Sequence, residues 1–164
     1  MALRRRREEP AVERGPACVL VVADDPGASE LLGRLLRASS HGFLVERARD
    51  QQEMADRFVD RTIDAVVVDV TAGGIGGGLK VLDAIRGSHD AETAALPVVL
   101  VSASASSAMF SWQAGVDELL VRPFHATELI DAVAAALARP ADERPRYRRQ
   151  QLEAARAGGG RVRS

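Results

Sequence analysis

At 164 residues, with 46% of them hydrophobic, the chain can bury one sizeable core and hardly two. Aromatics are only 4%, so that core is aliphatic, and no run of about 18 apolar residues exists to form a membrane span. The formal net charge of −1 divides unevenly: residues 1–17 carry five Arg against three Glu, residues 139–164 eight Arg against three acids, and the body between them is net −8.

In chain order, residues 1–16 lack periodicity and read as a disordered basic tail. Met1 to Arg7 has no apolar stretch for a secretory signal, and Glu8 and Glu9 argue against a transit peptide, so a cytoplasmic protein is expected. Ala17 to Ala23 is a continuous apolar run that stops at Asp24-Asp25-Pro26-Gly27, which predicts a buried strand and a loop. The single Cys18 lies in that run and reads as a small core residue. Ser29 is placed to cap a helix carrying Leu31, Leu32, Leu35 and Leu36. Phe43 to Ala48 reads as a less buried strand, followed by a helix that Asp50 would cap.

Asp64 to Val70 is a third strand, followed by a Gly-rich stretch, Gly73 to Gly78, and a helix over Leu79 to Ile85. The Gly-rich stretch lacks the Gly-Lys-Ser/Thr ending of a phosphate-cradling loop and is taken as flexible. Pro97 to Val101 is the fourth strand, ending at Ser102; a short helix with Met109, Phe110 and Trp112 ends at Gly115. Glu118 to Val121 is the fifth strand, closed by Arg122-Pro123, and Thr127 starts a last helix through Leu137. The Arg-rich remainder, 139–164, reads as flexible or partly helical and solvated. His41, His89 and His125 are scattered and read as surface residues, whereas Phe110 and Trp112 read as core.

Strands alternating with helices imply a parallel sheet covered on both faces. Ligand chemistry in such sheets sits at the carboxyl ends of the strands. Asp24 and Asp25, Asp69, Ser102 and Arg122 all fall at those ends. Three carboxylates gathered in an acidic pocket would raise affinity for protons or a divalent cation. Oxygen-only ligation suits Mg2+. A carboxylate can also attack phosphorus to give an acyl phosphate, a reaction of positioning and charge neutralisation. In that chemistry Arg122 would be the fixed cation and Ser102 a hydrogen-bond donor; the other reading of Arg122 is a salt bridge to Asp69 that serves only structure.

Four stretches at these ends, in this order, resemble the response-regulator receiver domain, the phospho-accepting module of two-component signalling. They are Val19 to Pro26, Ala65 to Val70, Pro97 to Ala103 and Ala114 to Phe124. The resemblance covers residues 17–138 and implies a flavodoxin-like (βα)5 fold, a doubly wound five-stranded parallel sheet of order 2-1-3-4-5. It implies that Asp69 is the phosphoacceptor and that Asp24, Asp25, Asp69 and the backbone carbonyl of Thr71 hold Mg2+. Ser102 takes the place of the switch hydroxyl, and Leu119 the second switch position. Such a domain is regulatory rather than an enzyme, at most catalysing its own phosphorylation and dephosphorylation.

The sequence departs from the family pattern at four places. Arg122 replaces a near-invariant Lys, and a planar guanidinium is not a compact ammonium. Leu119 replaces an aromatic switch residue, so the usual Ser/Thr–aromatic coupling is missing. Gly73 to Gly78 replaces a Met-Pro pair, and the segment from Ser102 to Arg122 is about two residues short. The expected protein is a stand-alone receiver, since residues 139–164 are too few and too polar for a helix-turn-helix effector. Its partners would be a histidine kinase or phosphotransfer protein and a downstream protein target. Homodimerisation stays open, and nucleic acid enters only through the tails. The alternative is a pseudo-receiver that binds a protein without phosphorylation.

Overall fold

The computed structural model describes residues 14–70, 75–159 and 161–164. Most of the expected N-terminal tail, Thr71 and Gly73 to Gly74 lie outside these residues. Five strands form one parallel sheet of order β2-β1-β3-β4-β5: β1 (Cys18–Val22), β2 (Leu44–Ala48), β3 (Ala65–Asp69), β4 (Val98–Ser102) and β5 (Glu118–Val121). Strands β1, β3, β4 and β5 are buried along their whole length, which is why β1, β3 and β4 read as apolar runs that stop at a polar residue. β2, an edge, is only partly covered, with Leu44 and Arg47 exposed and Ala48 alone buried.

Alternation along each strand divides the core into two layers. Val19, Val21, Val67, Val99, Val101 and Leu120 face α1 (Pro26–Arg37) and α6 (Ala126–Ala138). Leu20, Val66, Val68, Leu100 and Leu119 face the other side, where α2 (Gln51–Asp60), α3 (Ile75–Arg86) and α5 (Ala108–Ala114) supply Met54, Leu82, Ile85 and Trp112. A one-turn helix, α4 (Ala91–Ala94), precedes β4, and α7 (Arg144–Arg156) follows α6. Among the described residues no helix is long and apolar enough to cross a membrane.

Several local expectations are corrected. Helix α1 starts at Pro26 with Asp25 as its N-cap, not at Ser29: the Asp25 carboxylate accepts the Ala28 N–H at 2.7 Å, and Pro26 fits the first position, where no N–H is needed. Helix α6 is capped at His125, whose N–H donates to the Glu128 carboxylate at 2.9 Å. Asp50 caps α2 as expected, accepting from the Glu53 N–H at 2.9 Å. Gly115 closes α5 at φ 98°, in the left-handed region. Trp112 is buried, but Phe110 is 55% exposed.

The end of the Gly-rich stretch is not a loose loop. Ile75 to Gly78 belong to α3, and a Cβ on Gly78 would lie 1.7 Å from Cγ1 of Val70. Glycine there lets α3 approach the end of β3 directly. The C-terminal segment is not a solvated tail either. Helix α7 packs Tyr147, Leu152 and Ala155 against the core, and Arg163 extends the sheet beside β5 through a parallel bridge to Leu120. Its arginines are drawn in by buried acids of β5 and the residue before it, a pairing between positions too far apart in sequence for composition to reveal.

Candidate functional site

The carboxyl ends of β1 and β3 open into a cleft of about 230 Å³ lined by Asp24, Asp69, Arg49, Asp50, Gln51, Gly77, Gly78 and Lys80, among others. Asp69 is the last residue of β3, and its side chain is wholly buried. Arg122, directly after β5, reaches across β4 and donates from Nη1 and Nη2 to the two carboxylate oxygens of Asp69, each at 2.9 Å. This is a fork-on-fork ion pair, the arrangement a guanidinium makes and an ammonium does not. The guanidinium carbon also lies 5.8 Å from the centre of the Phe124 ring. The Arg122 backbone N–H donates to the Ser102 carbonyl at 2.9 Å, so main chain as well as side chain fixes its position.

Ser102 is buried at the end of β4. Its hydroxyl donates to the Ser104 carbonyl at 3.1 Å, accepts the Ser104 N–H at 3.2 Å and lies 3.1 Å from the Ser107 hydroxyl. The hydroxyl is thus held by the serine-rich turn after β4. Leu119 is fully buried in the layer with Trp112 and Val116.

The expectation of three convergent acids is corrected. Asp24 is exposed and lines the cleft with Asp69, whereas Asp25 is turned toward α1, where the unsatisfied N–H groups of the first turn claim one of its oxygens. Among the described residues no three His, Cys, Asp or Glu side chains are grouped to hold a metal ion. The cleft carries mixed charge: Asp24, Asp50 and Asp69 line it together with Arg49 and Lys80. Arg49, Gln51 and Lys80 were not singled out by sequence. Lys80 is the only lysine of the chain and lies two residues after the glycine that seats α3 on β3. That spacing is the one signal that could have marked it.

The described residues supply part of the oxygen-donor set that the resemblance implies for Mg2+, with Asp24 and Asp69 lining the same cleft. Hard oxygen donors are present, but both oxygens of Asp69 are occupied by Arg122, and Asp25 is committed to its cap. A cation bound at Asp69 would share a carboxylate oxygen with one arm of the fork or displace that arm.

This geometry, two acids after β1, an acid ending β3, a hydroxyl ending β4 and a cation before a proline after β5, accompanies a match of residues 19–134 to the family described as response regulator receiver domain. The chain belongs to the response regulator receiver family. This receiver is similar to response regulator MprA of Mycobacterium sp. (strain KMS), with 36% identity over 133 residues that cover 79% of this chain and 55% of the relative. It is 35% identical over 127 residues to response regulator MprA of Mycobacterium tuberculosis (strain H37Rv), covering 76% of this chain and 52% of that protein. The chain thus spans about half the length of these curated relatives. Among solved structures, the receiver domain of NtrX from Brucella abortus superposes with a TM-score of 0.64 at 28% identity, covering 74% of this receiver and 99% of that chain. The chemotaxis response regulator CheY4 of Vibrio cholerae shares the fold, with a TM-score of 0.64 at 22% identity, covering 75% and 100%. The receiver accordingly belongs to two-component signalling, with the five-stranded order expected from the resemblance.

Proposed function

We propose that this receiver accepts a phosphoryl group on Asp69 from a histidine kinase or phosphotransfer protein, in the cytoplasm, and signals through contacts with a downstream protein. The observation that carries this reading is the placement of a buried carboxylate at the carboxyl end of β3, in an open cleft, with a guanidinium on its oxygens. In the transfer, a carboxylate oxygen of Asp69 forms a bond to phosphorus as the donor's bridging bond breaks, and the leaving group departs with that electron pair. For this an oxygen must be released from the fork. Arg122, left with free N–H donors, then faces the phosphoryl oxygens and offsets their charge. Mg2+, which receivers use in this chemistry, would supply further charge neutralisation, drawing on Asp24, Asp69 and, as the resemblance implies, Asp25 and the Thr71 carbonyl.

The pairing that Arg122 makes also favours a second reading, a pseudo-receiver that binds a protein without being phosphorylated. Buried Leu119 and the Ser102 hydroxyl tied to Ser104 and Ser107 point the same way. The two readings separate on incubation with BeF3− and Mg2+, a mimic of the phosphoryl group. Amide shift changes centred on Ser102 and Leu119 support phosphorylation-driven signalling; an unchanged spectrum at saturating BeF3− supports the pseudo-receiver.

A further inference from the structure

Asp117 and Glu118 are fully buried at the edge of the sheet, and the C-terminal segment closes over them. Asp117 accepts from Arg86 Nη2 at 2.9 Å, from the Val98 N–H at 2.8 Å and from Arg148 Nε and Nη2 at 2.9 and 3.2 Å. Glu118 accepts from Arg139 Nη2 at 2.9 Å and from Arg163 Nε at 3.1 Å. The Arg163 backbone pairs with the open edge of β5, donating to the Leu119 carbonyl at 3.0 Å and accepting the Val121 N–H at 2.8 Å. An exposed strand edge is a ready surface for another chain, and here the chain itself covers it.

The same cover contains a flaw. Tyr147 of α7 and Trp112 of α5 meet edge to face with ring centres 5.9 Å apart. The Tyr147 hydroxyl and the Trp112 Nε1 are both buried without a hydrogen-bond partner among the described residues. Lifting α7 and the segment that carries Arg163 would return both groups to water, along with the charged groups of Arg148 and Arg163. Asp117 would keep Arg86, and Glu118 would keep Arg139, which is anchored at the end of α6. The contact therefore has strong tethers and a built-in reason to open, whereas the sheet beneath it has no such orphaned groups among its described residues.

We propose that α7 (Arg144–Arg156) and residues 161–164 form a displaceable cap on the face made by α5 and β5. That face is a docking surface for an arginine- and tyrosine-bearing helix followed by an extended segment, and its occupant in this chain is the chain's own C-terminal arm. A protein that reads this face competes with the arm, so cap opening sets how much of the receiver is available to it. The proposal stands on packing and charge, and holds whether or not Asp69 is phosphorylated.

Native-state hydrogen exchange on the whole chain tests it, with Trp112, the only tryptophan, as a second reporter. In the unaltered protein the amides of α7 and the Val121–Arg163 pair exchange on the order of 100-fold faster than those of β1 and β3, through an opening that leaves the sheet folded. The double variant Arg148→Gln, Arg163→Gln raises α7 exchange by a further factor of about ten, leaves β1 and β3 unchanged and shifts Trp112 emission to the red. Exchange of α7 at the rate of β1 and β3 in the unaltered protein overturns the proposal. So does a double variant in which α7 and the sheet accelerate together.

Discussion

Replacing Arg122 by Lys keeps the charge and removes the fork. The guanidinium holds both Asp69 oxygens at 2.9 Å, and a lysine ammonium acts as a single point charge that leaves one oxygen free. A hydrogen bond to a charged group is worth about 1.5–3 kcal/mol. Arg122 is 30% exposed, so solvent screens part of this, and the lost contact comes to about 1–2 kcal/mol. That corresponds to roughly a tenfold gain in the fraction of molecules with an available oxygen. The variant is expected to unfold at lower urea concentration by that margin, yet to take up phosphoryl from a small phosphodonor with Mg2+ about ten times faster than the unaltered protein, followed by intact mass. Equal phosphorylation rates with equal stability would refute the claim that the fork governs access to Asp69. A slower variant would show instead that the guanidinium is needed in the transfer itself.

Three further outcomes follow from the described contacts. Gly78→Ala should destabilise toward the upper end of about 1–3 kcal/mol, because its methyl meets Val70 Cγ1, and Val70→Ala in the same chain should recover part of the loss in urea melts. Asp117→Ala removes the shared partner of Arg86 and Arg148 and should cost about 3–5 kcal/mol; a loss under about 1 kcal/mol would mean that these pairs hold little. Asp90 caps α4, and its bonds from the Thr93 hydroxyl and N–H hold its carboxyl below the ordinary carboxylate range. Its contribution is therefore complete above that range and is lost as pH falls through the lowered value. The Thr93 amide shift followed from neutral pH into acid should move only at the acid end, and movement centred on the ordinary Asp value would contradict this.

Much of the fold was legible because β1, β3 and β4 are buried on both faces and carry the sequence of buried strands: short, aliphatic and β-branched, stopping at a polar residue. Those stops also located Asp69, Ser102 and Arg122, since a polar residue ending such a run lies at the carboxyl edge of the sheet. What local pattern does not encode is which way a side chain turns once several partners compete for it. Asp25 was expected beside Asp69, but the open N-terminus of α1 claims it; Ser29 looked the better cap only because Pro26 was read as loop. A salt bridge between Arg122 and Asp69 was readable from the sequence, but its two-pronged form depends on how β3, β4 and β5 stagger their carboxyl ends, which bring both pairs of atoms to 2.9 Å. The arm was misread for the same reason. The polarity of α7 is the signature of a solvated segment unless the buried acid that Arg148 meets, Asp117, 31 residues back in sequence, is already in view.

The central claim, that Asp69 is where phosphoryl arrives, is tested most directly by locating the modification. After incubation with a phosphodonor and Mg2+, borohydride reduces an aspartyl phosphate to homoserine, which peptide sequencing by mass spectrometry assigns to a position. The account predicts homoserine at position 69 and none in Asp69→Ala. Homoserine at another acid, or none at all in a folded protein, would contradict it.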